Sequence, residues 1–291
     1  MRALFSPSVL LFLIVLGLPA TAQQVGPPNG ALVIVGGAMR DQAIVERFLD
    51  LAGGPDAPIV LIPTAGGADD YDQYWRGQRQ FKNAGATDIH ILHTYDPDVS
   101  NSEEFVEPIK TARGVWFGGG RQWRLADAYL GTRVHEELQA LLERGGVIGG
   151  SSAGATIQGS YLARGDTETN TIMMGDHVEG MAFIKNVAID QHLLRRNRQF
   201  DLIELIETFP DLLGIGLDEN TAIVVQGDQF EVIGQSYVAI FDHNRSIDTG
   251  GSFYFLSPGD SFDLVTREAF RPRTDRAPLD RVVEQRWPGG N

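Results

Sequence analysis

The chain has no cysteine among its 291 residues. It therefore has no disulfide framework, no thiolate nucleophile and no cysteine ligand for a metal. Without disulfides, a chain of this length depends on its hydrophobic core for stability. Hydrophobic residues make up 43% of the composition, which is typical of a folded globular protein.

A surplus of positive charge is also lacking. Lysine and arginine number 24 against 38 aspartate and glutamate residues, so the formal net charge is −14. Such a surface disfavours general affinity for nucleic acid or anionic lipid. The G-x-G-x-x-G spacing of a dinucleotide-binding turn is absent, and the acidic run 69–72 is interpreted as a solvated loop rather than a cation site. We expect no cofactor and no metal.

Long hydrophobic runs are missing, apart from one near the start of the chain. Residues 9–18 are apolar, follow a basic start at Arg2 and precede the small-x-small triplet 20–22. This order predicts a signal peptide over residues 1–22, and hence an exported protein, periplasmic or extracellular, with no membrane span after cleavage. We expect residues 23–270 to form one domain and residues 271–291 a surface tail. The oligomeric state, a homodimer included, is left open.

Four apolar runs without polar alternation organise the rest of the chain. They cover residues 31–37, 58–63, 114–120 and 146–150. Such runs are typical of strands buried on both faces of a parallel sheet, and amphipathic segments such as 134–142 lie between them. The alternation predicts an α/β fold: a doubly wound, mostly parallel sheet with helices on both faces and a ligand crevice at the carboxyl ends of the strands. After Asn220, short β-type runs predict a C-terminal antiparallel β meander over residues 222–241.

Residues 150–154, Gly-Ser-Ser-Ala-Gly, fit the G-x-S-x-G pattern of a nucleophile elbow centred on Ser152. A serine at a strained strand-to-helix turn needs very small neighbours, because the turning backbone crowds any Cβ at the flanking positions. The helix that follows offers N–H groups and positive potential to a developing oxyanion. The alternative interpretation is a small-residue turn with no catalytic role.

A serine nucleophile needs a base, and six histidines compete for that role. His192 and His243 each end an apolar run, which places either one at the sheet edge expected for Ser152. The adjacent carboxylates Asp218 and Glu219 also end an apolar run, and one of them must face the crevice. Two triads therefore remain open from the residues alone. One is Ser152, His192 and Glu219, and the other is Ser152, Asp218 and His243, the order of α/β-hydrolase esterases.

Three segments together narrow this choice. Residues 151–155, 190–192 and 216–222 resemble, in order, three signature blocks of the cyanophycinase and aspartyl dipeptidase family of serine peptidases. The resemblance runs from about residue 31 to residue 241 and implies a doubly wound α/β domain with a serine, histidine and glutamate triad. It makes Ser152 the nucleophile, His192 the base and Glu219 its partner, and gives His243 a structural role.

Further site residues follow from this reading. The Ala153 N–H and an N–H of Gly119 or Gly120 are the expected oxyanion donors. The family's substrates are β-aspartyl peptides, among them cyanophycin, an aspartate backbone that carries arginine on its side chains. The resemblance assigns substrate binding to five residues: Gln122, Asp190, Gln191, Arg196 and Arg198.

The chain departs from the family pattern at two positions. Arg121 stands where aspartate is common, and Asp201 stands where an arginine is expected. These departures leave peptidase chemistry intact, and the expected substrate is cyanophycin or another β-aspartyl or acidic peptide. The interpretation we favour is an exported serine exopeptidase. An esterase and a non-catalytic binding protein on the same scaffold are the alternatives.

Overall fold

The structure, a computed structural model, describes residues 24–245 and 251–272. The predicted signal peptide, 1–22, and most of the predicted tail lie outside the described residues, so both stay predictions. In the part that is described, no helix is long and apolar enough to cross a bilayer.

Helices and strands alternate along the first half of the described chain, as the apolar runs predict. The helices are α1 (Gln42–Ala52), α2 (Arg79–Asn83), α3 (Pro97–Ser100), α4 (Glu103–Thr111), α5 (Trp123–Tyr129), α6 (Arg133–Glu143), α7 (Ala153–Thr156) and α8 (Asp201–Thr208). The strands are β1 (Ala31–Val35), β2 (Ile59–Ile62), β3 (Ile89–Ile91), β4 (Gly114–Phe117), β5 (Val147–Ser151), β6 (Val187–Gln191), β7 (Leu213–Leu217), β8 (Thr221–Gln226), β9 (Gln229–Gly234), β10 (Val238–Asp242), β11 (Tyr254–Leu256), β12 (Ser261–Asp263) and β13 (Glu268–Phe270).

A large mixed sheet forms the centre of the fold. Its nine described strands have the order β13-β12-β9-β8-β1-β5-β4-β2-β3. Strands β1, β5, β4, β2 and β3 pair in parallel, whereas β8, β9, β12 and β13 extend the sheet in antiparallel pairs. The predicted α/β class, with a parallel core and C-terminal antiparallel strands, is confirmed.

The parallel strands are buried on both faces, which explains why their sequences lack polar alternation. In β1, Leu32 belongs to one core cluster and Val33 to another on the opposite face. Phe48 of α1 joins the Val33 cluster, and Leu138 of α6 joins the Leu32 cluster. Helices therefore cover the two faces of the sheet, and each fully buried aliphatic or aromatic side chain contributes about 1.5–3 kcal/mol relative to its exposed state.

A second sheet has four described strands in the order β11-β10-β7-β6. It packs against the first, since its Ile215 and Ile240 share a core cluster with Leu32 of β1. Strand β10 belongs to this sheet, where it pairs with β7, and does not continue the β8–β9 hairpin as the predicted meander would. Burial explains the difference. All of β10 is buried, with Ile240 in the central core cluster and Phe241 packed towards α8, so this strand needs a layer on each side. Strand β9 has exposed residues alternating with buried ones and fits the outer part of the large sheet.

Candidate active site

Ser152 lies between the end of β5 and the start of α7. Its φ of 59° and ψ of −113° fall in a region that a non-glycine residue enters at a cost of about 1–3 kcal/mol. A Cβ built on Gly150 would lie 2.1 Å from the Gly154 carbonyl oxygen, and one on Gly154 would lie 2.3 Å from that of Phe117. Glycine is therefore the residue that fits on each side of the serine, as the G-x-S-x-G pattern predicts.

The carboxyl end of β1 holds three segments of the site together. The carbonyl oxygens of Val35 and Gly36 accept the backbone N–H groups of Ser152, at 3.0 Å, and of His192, at 2.8 Å. The next carbonyl, that of Gly37, accepts the Asn220 N–H at 2.8 Å. The sequence predicts Ser152 and His192 at the edge of one sheet. They instead follow strands of two different sheets, β5 and β6, whose carboxyl ends both reach the end of β1.

The side chains of Ser152, His192 and Glu219 form a continuous chain of hydrogen bonds. Ser152 Oγ lies 2.9 Å from His192 Nε2, and His192 Nδ1 lies 2.7 Å from Glu219 Oε1. When Nδ1 carries the ring proton, its N–H donates a hydrogen bond to the carboxylate, and Nε2 is left as the acceptor for the serine hydroxyl. This is the geometry that general-base activation of a serine requires.

Burial lowers the pKa of His192 below its ordinary value of 6.5. The hydrogen bond to Glu219 acts against this shift, and the positive charge of Arg196 adds to it, as does that of Arg198. The imidazole is therefore neutral at physiological pH and able to accept a proton.

The alternative triad is not brought together. Asp218 Oδ1 accepts the N–H groups of Leu194, at 3.0 Å, and Arg195, at 2.9 Å, while its Oδ2 accepts the Ser236 hydroxyl at 2.7 Å. These bonds hold the turn after His192 against the end of β7. His243 follows β10 and lines a different cavity, beside α8.

Of the predicted oxyanion donors, Ala153 and Gly119 lie beside the serine. Ala153 is the first residue of α7, so its N–H has no acceptor within the helix. A Cβ built on Gly119 would lie 3.9 Å from Ser152 Oγ, which shows how closely this backbone approaches the hydroxyl. Gly120 has a φ of 146°, and a Cβ there would lie 1.9 Å from the Ala65 carbonyl oxygen. Gly120 thus packs against the 3₁₀ turn Thr64–Gly66, which contains Ala65.

Three of the predicted substrate-binding residues make hydrogen bonds within the chain, and their role towards substrate stays a prediction. Gln122 Nε2 donates to the carbonyl oxygens of Ala163, at 2.8 Å, and Arg164, at 2.9 Å. Asp190 is fully buried and accepts two hydrogen bonds from the Arg164 guanidinium, and Gln191 accepts hydrogen bonds from Arg198. Buried polar groups need such partners, because an unpaired one loses its hydration without compensation.

The two predicted arginines differ in exposure. Arg196 is exposed, and its charge reaches His192. Arg198 is buried, and burial together with the nearby arginines lowers its pKa to about 10 despite the attraction of Asp190. Both line one cavity next to the histidine, so a ligand anion there would meet two cations.

The sequence patterns do not single out two residues of this region, Arg164 and Gly37, as parts of the site. Arg164 lies in a segment without helix or strand, and nothing local distinguishes a buried arginine from a solvated one. Gly37 has a φ of 134°, and a Cβ there would lie 2.3 Å from His192 Cε1. The glycine pair that ends the first strand was the available signal for Gly37. Within the described residues, no group of three or more histidine, aspartate or glutamate side chains is arranged to hold a metal.

An α/β fold that carries a serine hydrogen-bonded to a histidine–carboxylate pair defines a serine-type hydrolase, and comparison with known proteins narrows the class to serine peptidases. Residues 32–233 match the sequence model of Peptidase family S51. The chain is 32% identical to the cyanophycinase of Geminocystis herdmanii over 223 residues, covering 74% of this chain and 81% of that protein. It is 31% identical to the cyanophycinase of a Nostoc species, covering 81% and 86%.

A solved structure agrees with this assignment. The crystal structure of a peptidase from an acI-B1 Actinobacterium superposes with a TM-score of 0.62 at 26% identity, covering 83% of this chain and 98% of that one. The chain belongs to peptidase family S51. The resemblance recognised in the three sequence blocks is thereby confirmed, and the protein is a serine-type peptidase that acts on a peptide substrate.

The contact between Gly37 and the imidazole leads to a prediction. We expect Gly37→Ala to lower kcat/KM by about 10²-fold, because the added methyl group must displace the His192 ring from the serine. Peptidase assays on folded protein measure this. The control is Gly131→Ala, where φ is also positive, 71°, but a Cβ would meet no atom of the described residues within 4 Å. Equal activity losses in the two variants would assign the effect to backbone strain alone.

Proposed function

We propose that Ser152, His192 and Glu219 are the catalytic residues of this peptidase. Ser152 Oγ attacks the carbonyl carbon of the scissile amide while His192 Nε2 takes the hydroxyl proton. The imidazolium then gives that proton to the leaving amine, and Glu219 stabilises the positive ring. Water, activated by the same histidine, hydrolyses the acyl-enzyme. The observation that carries this proposal is the hydrogen-bonded chain of 2.9 Å and 2.7 Å through the three side chains.

The tetrahedral intermediate needs donors for its oxyanion. The Ala153 N–H supplies one, and the glycine loop at Gly119 supplies the second. Both are backbone groups next to the nucleophile, held by strands β5 and β4, so they require little reorganisation during the reaction.

As substrates we propose β-aspartyl peptides, the class to which cyanophycin belongs, with the protein acting as an exopeptidase. Two features support this choice. The relatives above are cyanophycinases. The cavity beside His192 presents Arg196 and Arg198, whose guanidinium groups suit the free carboxylates of such peptides.

Purified protein incubated with cyanophycin, with β-Asp-Arg and with isoaspartyl dipeptides tests the proposal. We expect cleavage at the β-aspartyl carbonyl, with mass spectrometry separating the shortening of a polymer from the splitting of a dipeptide. Ser152→Ala is the control for a contaminating peptidase. Cleavage confined to α-linked peptides or to simple esters would contradict the substrate proposal.

The lowered pKa of His192 predicts the pH dependence. The base must be neutral, so kcat/KM falls as pH drops through the pKa of the free enzyme, and we expect the midpoint of this acid limb below pH 6.5. Arg196→Gln removes a nearby cation that lowers this pKa, so the midpoint moves to higher pH. Arg195→Gln, an exposed neighbour whose charge is not among the causes of the shift, is the matched control. A wild-type midpoint above pH 6.5 would contradict the assignment.

A further inference from the structure

A cavity of about 790 Å³ is lined in part by Arg196 and Arg198, which belong to the segment that follows β6 and His192. Charged side chains dominate its lining. They are Arg164, Arg196, Arg198, Asp201 and Glu204. Two of the lining residues connect the cavity to the proposed base: Arg196 donates its backbone N–H to the His192 carbonyl at 3.0 Å, and the charges of Arg196 and Arg198 both lower the pKa of His192.

Arg164 separates this cavity from a buried carboxylate. Its Nε and Nη2 atoms donate to the two oxygens of Asp190 at 2.7 Å and 2.9 Å, a bidentate pair. Nη2 also contacts Asp201, and Nη1 donates to the Asn170 carbonyl at 2.9 Å. The side chains of Arg164 and Asp190 are 2% and 0% exposed, and only Arg164 lines the cavity.

The same contacts account for the departure at Asp201. The family resemblance leads one to expect an arginine there, and that cation would lie against Arg164 and repel it. A carboxylate at position 201 instead gives the Arg164 guanidinium a second anionic partner. Arg164 and Asp201 therefore act together to keep a guanidinium on Asp190.

This arrangement decides which ligands the cavity accepts. A guanidinium group binds a carboxylate best through two parallel hydrogen bonds, and on Asp190 both positions are already filled from within the chain. The charged groups that line the cavity itself are three arginines and two carboxylates. One of these carboxylates, Asp201, is already hydrogen-bonded to Arg164. Glu204 is exposed, where a single ion pair contributes little. A cationic side chain in the cavity would lose part of its hydration and, among the described lining residues, would gain no buried and unpaired carboxylate in return.

We propose that Arg164 is a specificity-determining residue that occupies Asp190 and so excludes guanidinium-bearing side chains from this cavity. The preferred substrates are then β-aspartyl peptides whose neighbouring residue is neutral or acidic. This inference rests on the proposed function for its substrate class, and it narrows that class away from arginine-rich cyanophycin.

Two dipeptides of nearly equal shape test the proposal, β-Asp-Arg and β-Asp-citrulline, because citrulline replaces the guanidinium with a neutral urea. We expect wild-type protein to favour the citrulline peptide in kcat/KM by about tenfold or more. Arg164→Ala should shift this ratio towards the arginine peptide by about tenfold, and Arg164→Ala combined with Asp190→Asn should lose the shift. Arg164→Lys keeps a cation but has a single nitrogen, which cannot bind both oxygens of Asp190 as a guanidinium does, so it should give an intermediate ratio. An unchanged ratio in folded Arg164→Ala, or a wild-type preference for the arginine peptide, would overturn the proposal.

A binding measurement tests, without catalysis, whether Arg164 occupies a guanidinium site on Asp190. Millimolar ethylguanidinium chloride should raise the Tm of Arg164→Ala above its value in equal sodium chloride, because the added cation replaces the missing side chain on Asp190. The wild type and the Arg164→Ala, Asp190→Asn double variant should not respond. If wild type cleaves no β-aspartyl peptide, the proposed function fails, while this Tm comparison still tests Arg164. No Tm response in Arg164→Ala would refute the role of Arg164 by itself.

Discussion

Replacing Ser152 with alanine is expected to lower kcat by roughly 10⁴–10⁶-fold, the range found when a serine nucleophile is removed. Among the described residues, the hydrogen-bond partner of this hydroxyl is His192. We therefore expect the Tm and the circular dichroism spectrum to be unchanged. Steady-state assays on the best β-aspartyl substrate measure the loss, and labelling by a fluorophosphonate probe should disappear with it.

Two further variants make this result specific. His192→Ala should reduce kcat by a similar factor, and the Ser152→Ala, His192→Ala double variant should be no slower than either single variant, because the two groups act as one unit. His243→Ala should keep wild-type activity, since this histidine lines a different cavity. Loss of activity in the His243 variant with retention in the His192 variant would instead favour the esterase triad.

Breaking the buried pair of Arg164 and Asp190 should lower the free energy of unfolding more than breaking an exposed ion pair does. Arg164→Met leaves a fully buried carboxylate without its bidentate partner, which costs about 3–5 kcal/mol. For a chain of this size we expect the Tm to fall by roughly 6–20 °C. Thermal and urea unfolding of the two proteins measure the difference.

The double variant and an exposed pair are the controls. Arg164→Met with Asp190→Asn removes both charges and should recover part of the lost stability, because the buried carboxylate that has lost its bidentate partner is gone. Arg47 and Glu231 form an ion pair with side chains that are 38% and 49% exposed. Arg47→Met should therefore change stability by less than about 1 kcal/mol. Similar losses in Arg47→Met and Arg164→Met would show that burial of the pair does not set its contribution.

The predicted strands of the parallel sheet could be read from the sequence because their residues are apolar without interruption. Such a run can be satisfied only between two layers, and the structure places β1, β2, β4 and β5 in that position. The sheet to which the third C-terminal run, strand β10, belongs could not be predicted in the same way. Local sequence identifies β10 as a strand, but which sheet it joins depends on the layers available to cover its two faces.

In the candidate site, too, some features could be predicted from the sequence and others could not. The small residues around Ser152 predict its turn, because steric crowding acts over a few positions of the chain. The residue pattern left His192 and His243 equal, and it left Asp218 and Glu219 equal, since each stands at the end of an apolar run. The resemblance chose His192 and Glu219, and hydrogen-bond distances to Ser152 Oγ and His192 Nδ1 agree with that choice.

The sequence by itself determined which strands are buried on both faces, where the strained serine turn lies, and which side chains have the chemistry for acyl transfer. Each of these depends on neighbours within a few residues or on composition. Only the tertiary structure decided that two sheets meet at the end of β1, that Gly37 abuts the imidazole, and that Arg164 occupies Asp190. Those contacts join residues distant in sequence, and their distances are set by how the layers pack.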